Sequence, residues 1–513
     1  MEKANKFYIT TPLYYVNASP HLGHSYTNIA ADCLARYMRR RLGSDSVWLL
    51  TGTDEHGQKI QRAAEEVKLD PQGFTDKMVL QFKNLWKELN ISYNDFIRTT
   101  EERHIVTVQK ILDILYRKGD IYPAQYQGWY CTPCETFWQE TEIALVDLQK
   151  PACPDCHRSL EEIQEENYFF SLSKYQDWLI NYIKQHSDFI RPLSRYNEVV
   201  SFLSNQRLSD LCISRPKERL KWGIPLPFSS EHVTYVWFDA LINYISAVGS
   251  FDQKGIYHSR WWPADLHLIG KDILRQHAIY WPIMLKALNI VPPKTIFAHG
   301  WWMIEESKMS KSRGNVVSPQ EMVNKFGIDV YRYFLLRDVP FGQDGSFSEE
   351  AIIKRFNSDL ANDLGNLVYR TLTMVEKYFQ DSIPQGVNIK TPPAKAIEEK
   401  IKQLDGKIAS TQGLGGPDFN FSTALENIWE LINMANKYIE DTKPWILAKE
   451  NRIDDLKEFI IVLVDVIRNV EDAIEPFMPQ TTESIKKQLG KDKIKKGKPL
   501  FPRIDNSKLN PDS

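Results

Sequence analysis

The opening of the chain constrains the fold more than any other stretch. Lys6 to Tyr15 is an extended run rich in aromatic and β-branched residues, and Pro20-His21-Leu22-Gly23-His24 is a turn. Ser25 to Leu42 then carries Ile29, Cys33, Leu34 and Tyr37 at helical spacing, and Ser46 to Thr51 is a short strand ending in Gly52-Thr53-Asp54-Glu55-His56-Gly57. Strand, turn, helix and strand in that order form a βαβ unit, which requires a parallel sheet. From Gly119 to Trp222 cysteine pairs, prolines and short aromatic patches replace this rhythm. It returns at Val233-Thr234-Tyr235-Val236-Trp237 and continues through Asp265 to Gly270 and Thr295 to Gly300. A sheet assembled from both sides of such a stretch is a split α/β domain.

Beyond Asn357 the spacing is helical. Ala424, Leu425, Ile428, Ile432, Ala435 and Ile439 form one apolar stripe, and Leu456, Phe459, Ile460, Leu463, Val464, Ile467 and Val470 another, as in a helix bundle. Lys486 to Lys498 is rich in lysine and reads as a solvated segment, with contact to RNA phosphates as the alternative; Asp505 to Ser513 reads as a frayed tail. With 513 residues the chain holds several domains. A net charge of −2 supplies no global field for nucleic acid, so RNA binding would rest on local patches and base stacking. No run of some twenty apolar residues and no signal segment is found, and six cysteines are too few for a disulfide framework. The expected location is the cytoplasm.

Three motifs carry chemistry. His21-Leu22-Gly23-His24 sits where a strand gives way to a helix, whose free N–H groups suit phosphate, while Gly23 lets a flat base approach the backbone. Two histidines in a turn are by themselves ordinary. Lys308-Met309-Ser310-Lys311-Ser312 is more specific: two compact cations in a small polar loop suit a triphosphate and the charge growing on departing pyrophosphate. Cys131-Thr-Pro-Cys134 and Cys153-Pro-Asp-Cys156 form two CxxC knuckles, the spacing of a closed tetrahedral zinc site made of four thiolates. Cys33 and Cys212 read as buried apolar residues.

The two phosphate motifs, one after the first strand and one ending the second half of the α/β region, resemble those of class I aminoacyl-tRNA synthetases, with Leu22 where isoleucine is usual. The resemblance sharpens to the methionyl-tRNA synthetases and covers nearly the whole chain, through Thr10 to Asn17, Gly52 to Gly57, Tyr235 to Leu241 and Gly270-Lys271-Asp272-Ile273. It implies a Rossmann-type α/β catalytic domain split by a zinc-knuckle connective insertion and followed by an α-helical anticodon-binding bundle. The expected boundaries are 1–118 and 223–322 for the two catalytic halves, 119–222 for the insertion, 323–356 for a stem-contact linker, 357–504 for the helical domain and 505–513 for the tail.

By the same resemblance, Leu13, Tyr15, Trp237, Ala240, Leu241, Tyr244, Ile273, His277 and Trp281 line a methionine pocket and Asp54 holds the ammonium group. Aromatic edges of this kind suit a polarizable thioether, and His277 and Tyr15 offer weak hydrogen bonds to sulfur. ATP is implied to contact His21, Gly23, His24, Asp272, Lys308, Met309 and Lys311, with His21, His24, Lys308 and Lys311 as the catalytic set. Asn366, Arg370 and Trp445 match positions that read the anticodon of tRNA(Met), where an amide, a guanidinium and an indole can bond to and stack on unpaired bases. Zn²⁺ is implied as a structural ion, Mg²⁺ as the companion of ATP, and the chain is expected to act as a monomer without membrane or DNA partners. Rival readings are another class I synthetase, an adenylating enzyme of the same fold, and a catalytically dead RNA binder.

Overall fold

The structure, a computed structural model, describes residues 6–131, 136–138, 143–146, 150–154, 157–304, 307–308 and 317–504. The chain forms two compact units. One comprises Met1–Pro20 and Met38–Ala298, the other His21–Tyr37 and His299–Ser513.

The first unit is built on a six-stranded sheet in the order Asp95–Arg98, Val47–Asp54, Phe7–Tyr15, Leu266–Gly270, Ile296–His299 and Ile190–Arg191. Phe7–Tyr15 pairs in parallel with Val47–Asp54 on one side and with Leu266–Gly270 on the other. Buried on both faces, these strands read as near-continuous apolar runs. Their core runs from Tyr8, Leu50 and Ile97 through Tyr244 and Ile245 to Trp281, Ile296 and Ala298, all buried.

Two details differ from the sequence expectation. The edge strand Ile190–Arg191 comes from within the stretch assigned to the insertion, so the main sheet reaches into 119–222. Val233 to Trp237 does not continue the parallel sheet. His232–Thr234 forms a two-stranded ribbon with Ser214–Pro216, and Val236–Leu241 is a helix after an extended Tyr235. A run of five apolar and aromatic residues suits either state, and here tertiary packing selects the helix for its second part.

The insertion proper is an antiparallel sheet ordered Leu211–Cys212, Glu161–Phe170, Ile121–Cys131 and Thr136–Trp138, with register from Ile121 opposite Phe170 to Tyr130 opposite Glu161. In the second unit, Ile328–Arg337, Asn366–Phe379, Pro392–Ile408, Phe421–Thr442, Ile453–Ile474 and Pro479–Leu489 are the main helices. Both apolar stripes are buried as their spacing implies. Arg332 is wholly buried here: it donates to Asp32 at 2.7 Å and to the carbonyls of Pro476 and Phe477, both at 2.9 Å. These bonds hold the helix Leu22–Leu42 at Asp32, in its third turn. Among the described residues no helix is long and apolar enough to cross a membrane.

Candidate active site

In the first unit the strand order reverses at Phe7–Tyr15: Val47–Asp54 and Asp95–Arg98 add on one side of it, and Leu266–Gly270, Ile296–His299 and Ile190–Arg191 on the other. Ligands of open α/β sheets bind outside the carboxyl ends of the strands at such a switch point. Here those ends are Tyr15, Asp54 and Gly270. Between Thr10 and Leu13 the register shifts by one residue, from Thr10 opposite Leu50 to Leu13 opposite Gly52. Pro12 in this step has no N–H for a ladder bond, so the strand bulges beside the site. Beyond the bulge Tyr15 stands opposite Asp54. Tyr15 is partly exposed, with the Lys59 ammonium 5.4 Å from its ring centroid, while Asp54 is only 7% exposed.

Behind these strand ends lies a buried polar chain. The Trp281 indole N–H donates to His267 Nε2 at 3.2 Å, which leaves His267 Nδ1 as donor to Thr10 Oγ1 at 2.7 Å. His277 Nδ1 donates to the Ile273 carbonyl at 2.9 Å, so its Nε2 accepts from the Tyr244 hydroxyl at 2.7 Å. The Trp281 N–H makes the His267 ring neutral, and burial favours the neutral form of His277. Burial holds the His267 pKa well below the usual range, with His277 adding to this, and lowers that of His277 to about 4. The Tyr244 ring packs 4.2 Å from His267 and 5.8 Å from Trp281, centroid to centroid, and its phenol is pushed up by burial. Since both nitrogens of His277 are committed, it fixes Tyr244 rather than offering a donor to a thioether.

The structure brings Leu13, Leu241, Tyr244, Ile273 and Trp281 to one apolar cluster. Trp237 and Ala240 share the helix Val236–Leu241 with Leu241; Ala240 is buried and Trp237 partly so. Asp272 lies exposed in the turn Lys271–Ile273 that follows the strand Leu266–Gly270.

Sequence reasoning missed His267 and Asp239. Asp239 is wholly buried, with His56 Nδ1 at 2.7 Å from one oxygen and His104 Nε2 at 2.7 Å from the other; His104 Nδ1 is 2.8 Å from Ser246 Oγ. Burial opposes its charge, but the two imidazoles outweigh that and its pKa lies below the ordinary carboxylate value. Asp239 so ties the pocket helix to the loop after Asp54. Glu55 anchors the same loop: its carboxylate accepts from Arg98 at 2.7 and 2.8 Å and from Thr53 and Thr100. A polar residue inside an otherwise apolar run, as in Leu266-His267-Leu268 and Trp237-Phe238-Asp239, was the signal available.

In the second unit the helix starts at Leu22, so Gly23 and His24 belong to its first turn. His21 Nδ1 accepts from the Gly23 N–H at 3.1 Å, and His24 Nδ1 accepts from the His21 N–H at 3.2 Å. In the neutral rings the proton then sits on each Nε2, a donor. The rings stack 3.8 Å apart. A Cβ on Gly23 would lie 3.1 Å from the His21 ring, so glycine lets that ring fold over the helix end. His299 Nε2 lies 2.7 Å from Thr27 Oγ1 on the same helix. Ser307–Lys308 forms a short strand with Trp302–Ile304; the Lys308 side chain, Met309, Ser310, Lys311 and Ser312 lie outside the described residues.

Of the cysteines, Cys131 and Cys153, one from each knuckle, are buried in one small cluster with Trp138 and Leu160. The chain turns tightly after Cys153: the His157 N–H bonds to the Cys153 carbonyl at 2.8 Å, and the Cys153 N–H to the Arg158 carbonyl at 2.9 Å. Cys134 and Cys156 lie outside the described residues. Cys33 and Cys212 are buried, and burial pushes the Cys212 thiol up to about 12.

Asn366 and Arg370 sit one turn apart on the helix Asn366–Phe379, both partly exposed, directly after a π-helical stretch, Phe356–Gly365. Asn366 lines a cleft of about 1090 Å³. Trp445 opens the short helix Pro444–Lys449 and is 51% exposed, unusual for an indole.

Residues 7–372 match the family model for class I tRNA synthetases (M), and residues 411–510 that for the anticodon-binding domain of tRNA ligase. The methionine–tRNA ligase of Clostridium acetobutylicum is 48% identical over 528 aligned residues, covering 99% of this chain and 80% of that protein. Its counterpart in Bacillus subtilis is 42% identical, covering 98% and 79%. A solved structure of Mycobacterium tuberculosis methionyl-tRNA synthetase in complex with methionyl-adenylate superposes with a TM-score of 0.91 at 38% identity, covering 97% of this chain and 100% of that one.

Proposed function

The chain belongs to the methionyl-tRNA synthetases of class I, and from that premise we propose how its residues divide the work of activating methionine with ATP and transferring it to tRNA(Met). The observation that carries the amino-acid assignment is the interlocked chain Thr10–His267–Trp281 and Tyr244–His277–Ile273 at the sheet's switch point. It presents aromatic faces whose polar atoms are already satisfied. A thioether gains contact with such faces, whereas a side chain that needs a hydrogen-bond partner finds none there. Leu13, Tyr15, Trp237, Ala240 and Leu241 complete this wall, and Asp54 holds the substrate ammonium.

In the first step the methionine carboxylate attacks the α-phosphorus of ATP and pyrophosphate leaves. The substrate supplies the nucleophile, so the protein's tasks are positioning and charge stabilisation. His21 and His24, with protons on Nε2, donate to phosphate oxygens, and Gly23 lets the nucleotide approach the helix end. Lys308 and Lys311, with Met309 between them, neutralise the β and γ phosphates, which arrive with Mg²⁺. Asp272 holds the ribose. In the second step the 2′-hydroxyl of the terminal adenosine attacks the carbonyl of the methionyl-adenylate and AMP leaves, while Asn366, Arg370 and Trp445 hold the anticodon.

Zinc fits the insertion. Cys131 and Cys153, one from each knuckle, meet in one buried cluster, and the Cys153 backbone bonds to His157 and Arg158 close a tight turn. With Cys134 and Cys156 they would hold the ion as a closed structural site linking the two knuckles. Metal analysis of protein purified without chelator is expected to return one zinc per chain, and Cys131→Ser to lose it.

ATP–pyrophosphate exchange against all twenty amino acids without tRNA tests the assignment. Exchange with methionine alone supports the pocket. Exchange with another amino acid discards the pocket and keeps the fold; no exchange from folded protein favours a dead RNA binder.

A further inference from the structure

The segment Lys486 to Lys498 holds seven lysines and one acidic residue among thirteen, in a chain whose net charge is −2. Three of the lysines are spoken for: Lys486 pairs with Glu471, Lys487 with Glu483 and Lys496 with Glu376. Lys491, Lys493, Lys495 and Lys498 are exposed and have no ion pair among the described residues. They are not on a loose loop. Gly490 turns the chain with φ of +59°, where a Cβ would lie 2.2 Å from the Lys493 carbonyl oxygen. The backbone then bonds to the turn after the helix Asn366–Phe379, from Ile383 N–H to the Asp492 carbonyl and from Ile494 N–H to the Asp381 carbonyl, both at 2.9 Å. Gln488 clamps the far side: its carbonyl accepts from Lys495 N–H at 2.7 Å, and its side-chain oxygen accepts from Gly497 N–H at 2.9 Å. Ile494 is buried between Lys493 and Lys495.

Lys491, Lys493 and Lys495 thus alternate with Asp492 and Ile494, and extended chain rises roughly 6.6 Å per two residues. The segment runs beside the helix of Asn366 and Arg370: the Lys496 ammonium lies 5.0 Å from the ring centroid of Tyr369, which stands between those two residues and is 38% exposed.

We propose that Lys491, Lys493, Lys495 and Lys498 form a pre-ordered rail for the phosphate backbone of tRNA beside the base-reading residues. The proposal rests on the assignment of Asn366, Arg370 and Trp445 to anticodon recognition. Backbone bonds that fix the rail lower the ordering cost of binding, and phosphate contacts position RNA without reading it.

The test compares wild type with a variant carrying K491Q, K493Q, K495Q and K498Q, by tRNA binding across a salt series. Each phosphate contact contributes about 0.7–0.9 to the slope of log affinity on log salt, so the slope is expected to fall by about 3 and the affinity by about tenfold or more near 0.1 M salt. The loss is expected to be equal for tRNA(Met) and for the same tRNA with a changed anticodon, and methionine-dependent exchange to stay unchanged. A control carrying K486Q and K487Q, whose lysines are already paired, is expected to move the slope far less. An unchanged slope, or a slope that falls equally in the control, overturns the rail. A rail variant that keeps its affinity while Trp445→Ala loses anticodon preference overturns the rail alone; wild type that exchanges with methionine but binds no tRNA overturns both.

Discussion

In the first unit Tyr244, His267, His277 and Trp281 are buried and hydrogen-bonded in two pairs, with both nitrogens of each imidazole committed. In the second, Asn366 and Arg370 are partly exposed and Trp445 has half its surface in water. The first arrangement stores its selectivity in the fold, because moving one group strands another in a dry interior. The second leaves its groups to be ordered by the RNA, so binding there costs more entropy but a lost residue leaves the fold intact. The two regions should therefore fail differently: the pocket through stability and methionine affinity together, the RNA face through charging alone.

The largest separation is expected at Asp239. Asp239→Asn removes the buried carboxylate that both His56 and His104 face, and losing a hydrogen bond to such a charged group costs about 1.5–3 kcal/mol. Urea unfolding is expected to show that loss, with a raised KM for methionine and a KM for ATP held within about twofold, a readout that plain destabilisation would not split. Stability intact with KM unmoved would show that Asp239 does not position the pocket.

Acid gives the next contrast. His277 titrates near 4 in the fold against 6.5 in the unfolded chain. Its folded pKa is depressed, so its contribution is complete above pH 6.5 and is lost as pH falls towards 4, about 3 kcal/mol over that window; His267 acts in the same direction. In the second unit burial raises the Asp329 pKa, as it does that of the less buried Glu471. A raised carboxyl works the other way, its contribution being present in acid and lost as pH rises. Hydrogen exchange at pH 5 against pH 7 is expected to show protection falling first in the strands around Leu266–Gly270, and later in Ile328–Arg337. The reverse order would break the comparison.

Smaller and reciprocal effects come from single groups. Tyr244→Phe leaves His277 Nε2 without its donor, worth about 1–3 kcal/mol, and is expected to raise methionine KM in exchange while anticodon dependence stays the same. Trp445→Ala removes a stacking platform worth about 1–3 kcal/mol per base; charging should slow by that factor, with exchange and melting temperature unchanged. Equal loss of charging and exchange in Trp445→Ala would sink its anticodon role.

What could be read beforehand follows the same division. The strand Phe7–Tyr15, the helix after it and both apolar stripes of the bundle are legible because one periodicity runs through each. The helix Val236–Leu241 is not, since its run of apolar and aromatic residues fits a strand equally well and only packing decides. Leu13, Tyr244 and Trp281 are legible only through family resemblance, because each taken singly is an ordinary core residue. His267 and Asp239 escaped because their partners, Thr10 and His56, lie far away in sequence and only the sheet brings them near.

The strand Phe7–Tyr15 has a consequence for how the protein is made. Its neighbours are Val47–Asp54 on one edge and Leu266–Gly270 on the other, and Thr10 meets His267 across 257 positions of sequence. On a ribosome adding roughly 5–20 residues per second, the second edge waits on the order of ten to fifty seconds for its partner. Through that interval the nascent chain exposes an apolar edge flanked by a finished βαβ unit. Chaperone demand should therefore peak during synthesis of the insertion and end when Leu266–Gly270 emerges.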